Sequence, residues 1–305
     1  MYKSALRPIW VVGSINTDMV VKANSLPHPG QTVLGGEFFM NSGGKGANQA
    51  VAAARLGGQV SLLGCLGRDV FGDKAIARLE SEKVNCSFVS RSENLASGVA
   101  IISVDSTGEN QISVAPGANQ SVSKRQVDLA FNSILSGSLI LLQLEIPLAT
   151  VGHAIDLARA NKCSVILDPA PAQRLSEQIL QGLYLLTPNE SEAQTLTGIK
   201  VNSVDSAESA AKYLLRMGVL NVALTMGSEG VLLASSEGCE VIPATAVQAI
   251  DTTAAGDCFN GSLASALARR ETLRDAVIFA CRAASFAVTR MGAQDAMPKQ
   301  HELKP

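Results

Sequence analysis

Six short aliphatic runs, separated by Ala-rich segments of helical period, constrain this chain more than any other feature. The runs are Ile9–Ile15, Val60–Gly64, Ser138–Leu144, Ser164–Leu167, Gly182–Leu186 and Asn221–Thr225. A strand with one wet face would alternate polar and apolar residues, so continuous runs of this length predict strands buried on both faces. Between them, Gly46–Leu56, Gly72–Glu82, Ser123–Leu135, Leu148–Asn161, Glu190–Leu196 and Ala207–Met217 carry the helical period, and Gly256–Arg269 and Leu273–Arg290 follow as two further helices. Strands alternating with helices imply right-handed β-α-β crossovers, hence an α/β fold with a mostly parallel sheet and helices on both faces.

Two regions break this rhythm. Asp18–Ala23 with Thr32–Phe39, and Gly98–Val104 with Gln111–Ala115, read as strand pairs with no helix between them. Turn residues at Pro27-His28-Pro29-Gly30 and Ser106-Thr107-Gly108-Glu109 make antiparallel ribbons of them. They predict a small antiparallel β sheet, serving either as a lid formed by about residues 17–40 and 97–115 or as a decorative edge. No internal repeat or low-complexity linker divides the 305 residues, so a single domain over 1–305 with the lid inserted in it is expected.

Charge narrows the partners. With 25 Lys+Arg against 27 Asp+Glu, the formal charge of −2 speaks against nucleic acid or an anionic membrane. Aromatic residues make up 4%, too few for base-stacking platforms, while 47% apolar and 17% charged residues exclude disorder. The cysteines Cys65, Cys86, Cys163, Cys239, Cys258 and Cys281 include no C-x-x-C pair, which predicts free thiols in a reducing compartment. The stretch Ser138–Leu144, closed by Glu145 and Pro147, is far too short to span a membrane, and a cytoplasmic location is expected.

Ligands of open α/β sheets bind beyond the carboxyl ends of the strands. There this chain places Gly13-Ser14-Ile15-Asn16-Thr17-Asp18, Gln143 and Glu145, Asp168, Thr187-Pro188-Asn189-Glu190 and Thr225-Met226-Gly227-Ser228. Singly, each is more often a cap or a turn. Together they point to a polar, hydroxyl-rich ligand. The segment Asn41-Ser42-Gly43-Gly44-Lys45-Gly46-Ala47-Asn48-Gln49 is a glycine-rich turn entering a helix, either a ligand cradle or a structural turn beside a solvated lysine. It is no Walker A loop, since Gly46 stands where Ser or Thr is needed, and no G-x-G-x-x-G follows the first strand.

In Asp251-Thr252-Thr253-Ala254-Ala255-Gly256-Asp257, three small residues at a helix start leave backbone N–H groups open to an anion. Asp257 there is either an ordinary N-terminal aspartate or the acceptor of a proton from a hydroxyl attacking a phosphoryl group. The histidines His28, His153 and His301 lie in no triad or zinc motif.

These motifs resemble those of the ribokinase-like carbohydrate kinases, over Ile9 to about Pro298. The resemblance rests on Gly13-Ser-Ile-Asn16-Thr-Asp18, on Gly43-Gly44-Lys45-Gly46-Ala47-Asn48-Gln49-Ala50 and on Ala254-Ala255-Gly256-Asp257. It implies a three-layer sandwich and ATP-dependent phosphorylation of D-ribose at O5. Asp257 would be the base, with the amides of Ala254, Ala255 and Gly256 as anion hole. Asn16, Asp18, Gly44, Lys45, Gly46, Ala47, Asn48 and Glu145 would hold the sugar. Asn189, Thr225, Met226, Gly227, Ser228, Glu229, Gly230, Gly256, Asp257 and Cys281 would contact ATP, and Glu192 would organise Mg2+ indirectly. A monovalent cation, K+, would be held by Asp251, Thr253, Ala287, Arg290, Gly292 and Ala296, although alanine at 296 offers no side-chain oxygen where the family more often has serine. The lid would pair subunits into a homodimer. Alternatives are a kinase for 2-deoxyribose, a ketohexose or a nucleoside, and a non-catalytic sugar- or nucleotide-binding regulator. A nicotinamide oxidoreductase is disfavoured by the missing glycine fingerprint.

Overall fold

The computed structural model describes residues 6–303. The chain enters through β1 (Ile9–Val12), crosses into a small sheet as β2 (Asn16–Lys22) and β3 (Glu37–Gly43), and returns through α1 (Lys45–Arg55) to β4 (Val60–Gly67). Next come α2 (Val70–Ser81), β5 (Asn85–Ser92), the small-sheet hairpin of β6 (Gly98–Val104) and β7 (Asn110–Ala115), and α3 (Lys124–Phe131). Three strands, β8 (Leu139–Leu142), β9 (Ser164–Leu167) and β10 (Leu185–Leu186), then alternate with α4 (Leu148–Ala160), α5 (Glu177–Leu180) and α6 (Glu190–Thr197). Helix α7 (Val204–Arg216) leads to β11 (Asn221–Thr225), the hairpin β12 (Val231–Ser235) and β13 (Gly238–Ile242), and finally α8 (Ala255–Ala268) and α9 (Leu273–Ala287).

The large sheet has the order β13-β12-β11-β10-β9-β8-β1-β4-β5. From β5 to β11 every pairing is parallel, and β12 and β13 add an antiparallel edge. Alternate side chains of the central strands feed two separate cores. Ile9, Val11, Leu139 and Leu141 pack with Val51, Phe259 and Val277 of α1, α8 and α9. Trp10, Val12, Ile140 and Leu142 pack with Val127, Val151 and Leu214 of α3, α4 and α7. Burial on both faces is why these strands read as unbroken aliphatic runs.

The small sheet, ordered β3-β2-β6-β7, consists of two antiparallel hairpins joined by a parallel pairing of β2 with β6. Its strand β3 runs over Glu37–Gly43 instead of the expected Thr32–Phe39, so it starts later and continues through Asn41 to Gly43, which belong to the strand rather than to a turn. Gly35 and Gly36 hold φ of 96° and 109°, outside the β region, and a Cβ on Gly36 would lie 2.1 Å from the Lys22 carbonyl oxygen. Regular pairing therefore begins only after them.

Elsewhere, the expected helix to Leu135 stops at Phe131, the one to Arg290 stops at Ala287, and only Leu185–Leu186 of the Gly182 run is strand because Gly182 turns at φ 71°. The edge strands β5 and β13 carry enough polar residues to hide from an apolar-run reading, whereas β12, an interior strand of sequence VLLAS, is an apolar run outside the expected set. Among the described residues, all six cysteines are free and no helix is long and apolar enough to cross a membrane.

Candidate active site

Two glycines set the site. A Cβ on Gly13, at the end of β1, would lie 2.8 Å from the Cα of Gly46 in the first turn of α1. Bare backbone on both sides lets α1 start directly against the strand end, and Ala47 N–H donates to the Ser14 carbonyl at 2.9 Å. The first turns of α1, which carry Lys45, Asn48 and Gln49, thereby start against the end of β1, and Gly43 pairs with Asn16, the first residue of β2. Gly44, at φ 86°, makes the turn. Glu145, just past β8, accepts from the Lys45 backbone N–H at 3.1 Å and from the Ser14 hydroxyl. Asp18 lies on β2 opposite Asn41 of β3.

Asp257 sits in the first turn of α8 and is 5% exposed. Its Oδ2 accepts from Asn48 Nδ2 at 2.9 Å and its Oδ1 from Gln49 Nε2 at 3.1 Å. Gln49 Nε2 also donates to Asp168 Oδ2 at 2.8 Å, while its Oε1 accepts from Gln143 at 2.7 Å. The carboxylate is thus clamped on both oxygens by side chains of α1.

Before it, Ala254 takes the left-handed conformation at φ 57°, ψ 20°, a strained setting for a residue with a Cβ. Of the three amides expected to be open, that of Ala255 donates to the Thr252 carbonyl at 3.2 Å. Those of Ala254 and Gly256 have no hydrogen-bond partner among the described residues. Behind this turn, Asp251 Oδ1 accepts from Thr253 N–H at 2.9 Å and Oδ2 from Gly292 N–H at 2.8 Å. Burial would push Asp251 up, but these bonds hold it below the ordinary carboxylate value. The Ala287 carbonyl accepts from Arg290 N–H, the Arg290 guanidinium pairs with Glu302, and Ala296 is buried.

Of the expected nucleotide residues, Asn189 and Thr225 to Gly230 lie at the ends of β10 and β11, where Asn189 bridges to Thr225, while Gly256 and Asp257 lie at the start of α8. Asn189 caps α6 in a reciprocal box with Glu192: Asn189 N–H donates to Glu192 Oε2 and Glu192 N–H to Asn189 Oδ1, both at 2.9 Å. Met226 to Gly230 form a tight turn closed by Met226 N–H on the Gly230 carbonyl, with Gly227, Ser228 and Glu229 exposed. Cys281 does not join them in this turn: it is buried on α9 in the core shared with α1 and α8, its thiol pushed up to about 11 by burial.

Electrostatics here are lopsided. Burial lowers the Lys45 pKa, yet Asp257, Asp168, Glu145 and Glu192 together outweigh it and hold the ammonium above its ordinary value. Burial raises Asp168, Glu192 and Asp257, with Lys45 opposing in each case. Asp18 is pushed up to about 6 by burial first, then by Glu145 and Asp257. An unfolded aspartate titrates near ~3.9, so between about pH 4 and 6 the folded protein holds more protons than the unfolded chain. This group's contribution to stability is therefore lost as pH rises through that window. Glu302, held down to about 2 by the Arg290 hydrogen bond and Lys299 N–H, acts only at lower pH. The ligand-free protein should melt higher at pH 5 than at pH 7 in thermal scans, and Asp18→Asn should reduce that difference, with Asp168, Glu192 and Asp257 supplying the rest. Equal slopes in both proteins would contradict the assignment.

Asn119 was not marked by any motif. It is buried in a single 3-10 turn, donates from Nδ2 to Asn16 Oδ1 at 2.7 Å and accepts from Ile15 N–H at 2.9 Å. Gln294, also unmarked, reaches Asn48. The links of Gln49 to Asp168, Asp257 and Gln143 likewise arise between distant segments.

A parallel sheet with polar strand ends, a buried carboxylate at a helix start and open amides beside it has the architecture of a small-molecule kinase. The family model for pfkB family carbohydrate kinases matches residues 7–300, and the chain belongs to that family. It is 38% identical to a Haemophilus influenzae ribokinase over 97% of both chains, and 38% identical to a Salmonella typhi deoxyribokinase over 95% of both. The structure of an Arabidopsis thaliana ribokinase complexed with ribose and ATP superposes with a TM-score of 0.89 at 29% identity, covering 98% of this chain and 97% of that one.

Proposed function

We propose that this protein transfers the γ-phosphoryl group of ATP to O5 of D-ribose, giving D-ribose 5-phosphate and ADP. The observation that carries this reading is Asp257, a buried carboxylate clamped by Asn48 and Gln49 beside the open amides of Ala254 and Gly256. Asp257 takes the proton of the sugar hydroxyl as its oxygen bonds to the γ-phosphorus. The bond from phosphorus to the β–γ bridging oxygen breaks, and the electron pair leaves with ADP. Amides at the start of α8 oppose the charge spread over the transferring group. Asn16, Asp18, Lys45 and Glu145 surround the sugar, while Asn189, Thr225 and the Met226–Gly230 turn flank the nucleotide.

Identity alone does not choose between ribose and 2-deoxyribose. Asn119 does more: by occupying Asn16 Oδ1 it leaves Asn16 Nδ2 as the group with no protein partner among the described residues. A donor fixed in this way needs an oxygen, and a deoxy sugar would leave it unpaired. Expected kcat/KM for ribose exceeds that for 2-deoxyribose by about 10²-fold in a coupled assay over a sugar panel. A preference for deoxyribose would overturn the choice of substrate.

The donor sets also suit the implied cations. Glu192 spends Oε2 on its cap and keeps Oε1 without a hydrogen-bond partner among the described residues, fitting a role near Mg2+. Asp251 and the carbonyls of Thr253, Ala287, Arg290, Gly292 and Ala296 are hard oxygen donors of the kind K+ takes, and K+ there would add positive potential beside the amides. On the face of the small sheet opposite Asp18, Val21, Phe38, Met40 and Ile101 are 38%, 61%, 43% and 57% exposed. Apolar exposure of that kind supports the small sheet as a lid in one kinase domain and as the contact of a homodimer. Sedimentation with and without K+ in the same assay buffers reads the dimer; a monomer throughout would remove it. The free thiols favour a cytoplasmic setting.

A further inference from the structure

Gln294 stands in the 3-10 turn Gln294–Ala296 and is 3% exposed. Its Nε2 donates to Asn48 Oδ1 at 3.2 Å, and its Oε1 is buried without a partner. The backbone of the turn is fixed separately. Arg55 Nη1 donates to the carbonyls of Gln294 at 2.6 Å and Met297 at 2.7 Å, while Arg55 Nε and Nη2 grip Glu82. An orphaned buried oxygen costs more than one neutral hydrogen bond contributes, so a side chain that merely filled this space would be apolar. What the amide supplies is its bond to Asn48.

We propose that Gln294 is a positioning residue for the phosphoryl transfer: it fixes the Asn48 amide so that Asn48 Nδ2 stays on Asp257 Oδ2 while the carboxylate takes up the hydroxyl proton. This rests on the reading of Asp257 as base. As Asp257 gains its proton, its own hold on Asn48 weakens, and Gln294 is the remaining tether on that amide. Besides Asn48, the groups around Asp257 are Lys45 and Gln49 of α1, Asp168 after β9, Glu145 after β8, Asp18 of β2 and Glu192 of α6.

The test uses Gln294→Met and Gln294→Glu in the full chain. Gln294→Met exchanges one orphaned oxygen, Gln294 Oε1, for another, Asn48 Oδ1, so Tm should move by no more than about 2 °C. Its kcat should fall about 10-fold with KM for ATP unchanged, as expected for a displaced reacting group. Gln294→Glu offers Asn48 an acceptor instead of a donor, which turns Asn48 Oδ1 towards Asp257; kcat should fall about 10²-fold. The Asp257 carboxyl, followed by 13C NMR without substrate, should titrate at higher pH in Gln294→Met than in wild type, since a donor to its charged form has loosened. A folded Gln294→Met protein with wild-type kcat and wild-type Asp257 titration would overturn the proposal. So would a large fall in Tm with that titration unchanged, which marks packing alone. If the wild type phosphorylates no sugar, the proposed function fails, and the NMR titration still decides the link from Gln294 to Asp257.

Discussion

Replacing Asp257 by asparagine should lower kcat by about 10²–10⁴-fold, the range for loss of a general base, while ribose and ATP still bind. The fold should survive for a reason visible in the hydrogen bonds. The new amide nitrogen must face either Asn48 Nδ2 or Gln49 Nε2. Gln49 is fixed by Asp168 and Gln143, but Asn48 can rotate its amide if Gln294 rotates too, because Gln294 Oε1 is free to accept. Removing a buried charge whose pKa is already raised by desolvation should also increase Tm at pH 7. Steady-state kinetics with thermal melts checks both. Unchanged turnover would end the assignment of Asp257 as base.

The second large effect is on stability. Helices α1 and α8 cross with backbone nearly in contact at Gly261, where a Cβ would lie 2.4 Å from the Gln49 carbonyl oxygen, 2.6 Å from Ala52 Cβ and 2.9 Å from Ala53 N. None of these atoms belongs to the far end of a flexible side chain, so the helices must separate. Gly261→Val should destabilise the protein by about 3 kcal/mol, the upper part of the range for overpacking. Activity should fall further than the folded fraction does, since the same helices carry both ends of the Asp257 bonds to Asn48 and Gln49. Urea melts read the first effect and specific activity at low urea the second. A Gly261→Val protein of wild-type stability would refute the close approach.

The central strands were legible because burial on both faces leaves one signature, an unbroken aliphatic run. Ser164–Leu167 and Asn221–Thr225 match their strands end to end. The same reading fails at the edges: β5 and β13 face solvent on one side, and their serines and glutamate dilute the pattern. Candidate site residues stand out in the sequence where local chemistry marks them, as in the glycines around Lys45 and the small residues before Asp257. Asn119 and Gln294 carry no such mark. Each acts through a partner more than 100 residues away, Asn16 for one and Asn48 for the other, so only the packed chain reveals them.

Between the last residue of β3, Gly43, and the first of α1, Lys45, stands the single residue Gly44. Mechanically this is a one-residue joint. Strand β3 is a lever of roughly 23 Å, taking 3.3 Å per residue. Its short arm is the helix turn that bears Lys45, Asn48 and Gln49. A Cβ at Gly44 would sit 2.6 Å from Asn16 N, so the joint bears directly on β2, the strand that carries Asn16 and Asp18. Any tilt of the small sheet is therefore delivered, undamped by a linker, to the side chains that grip Asp257.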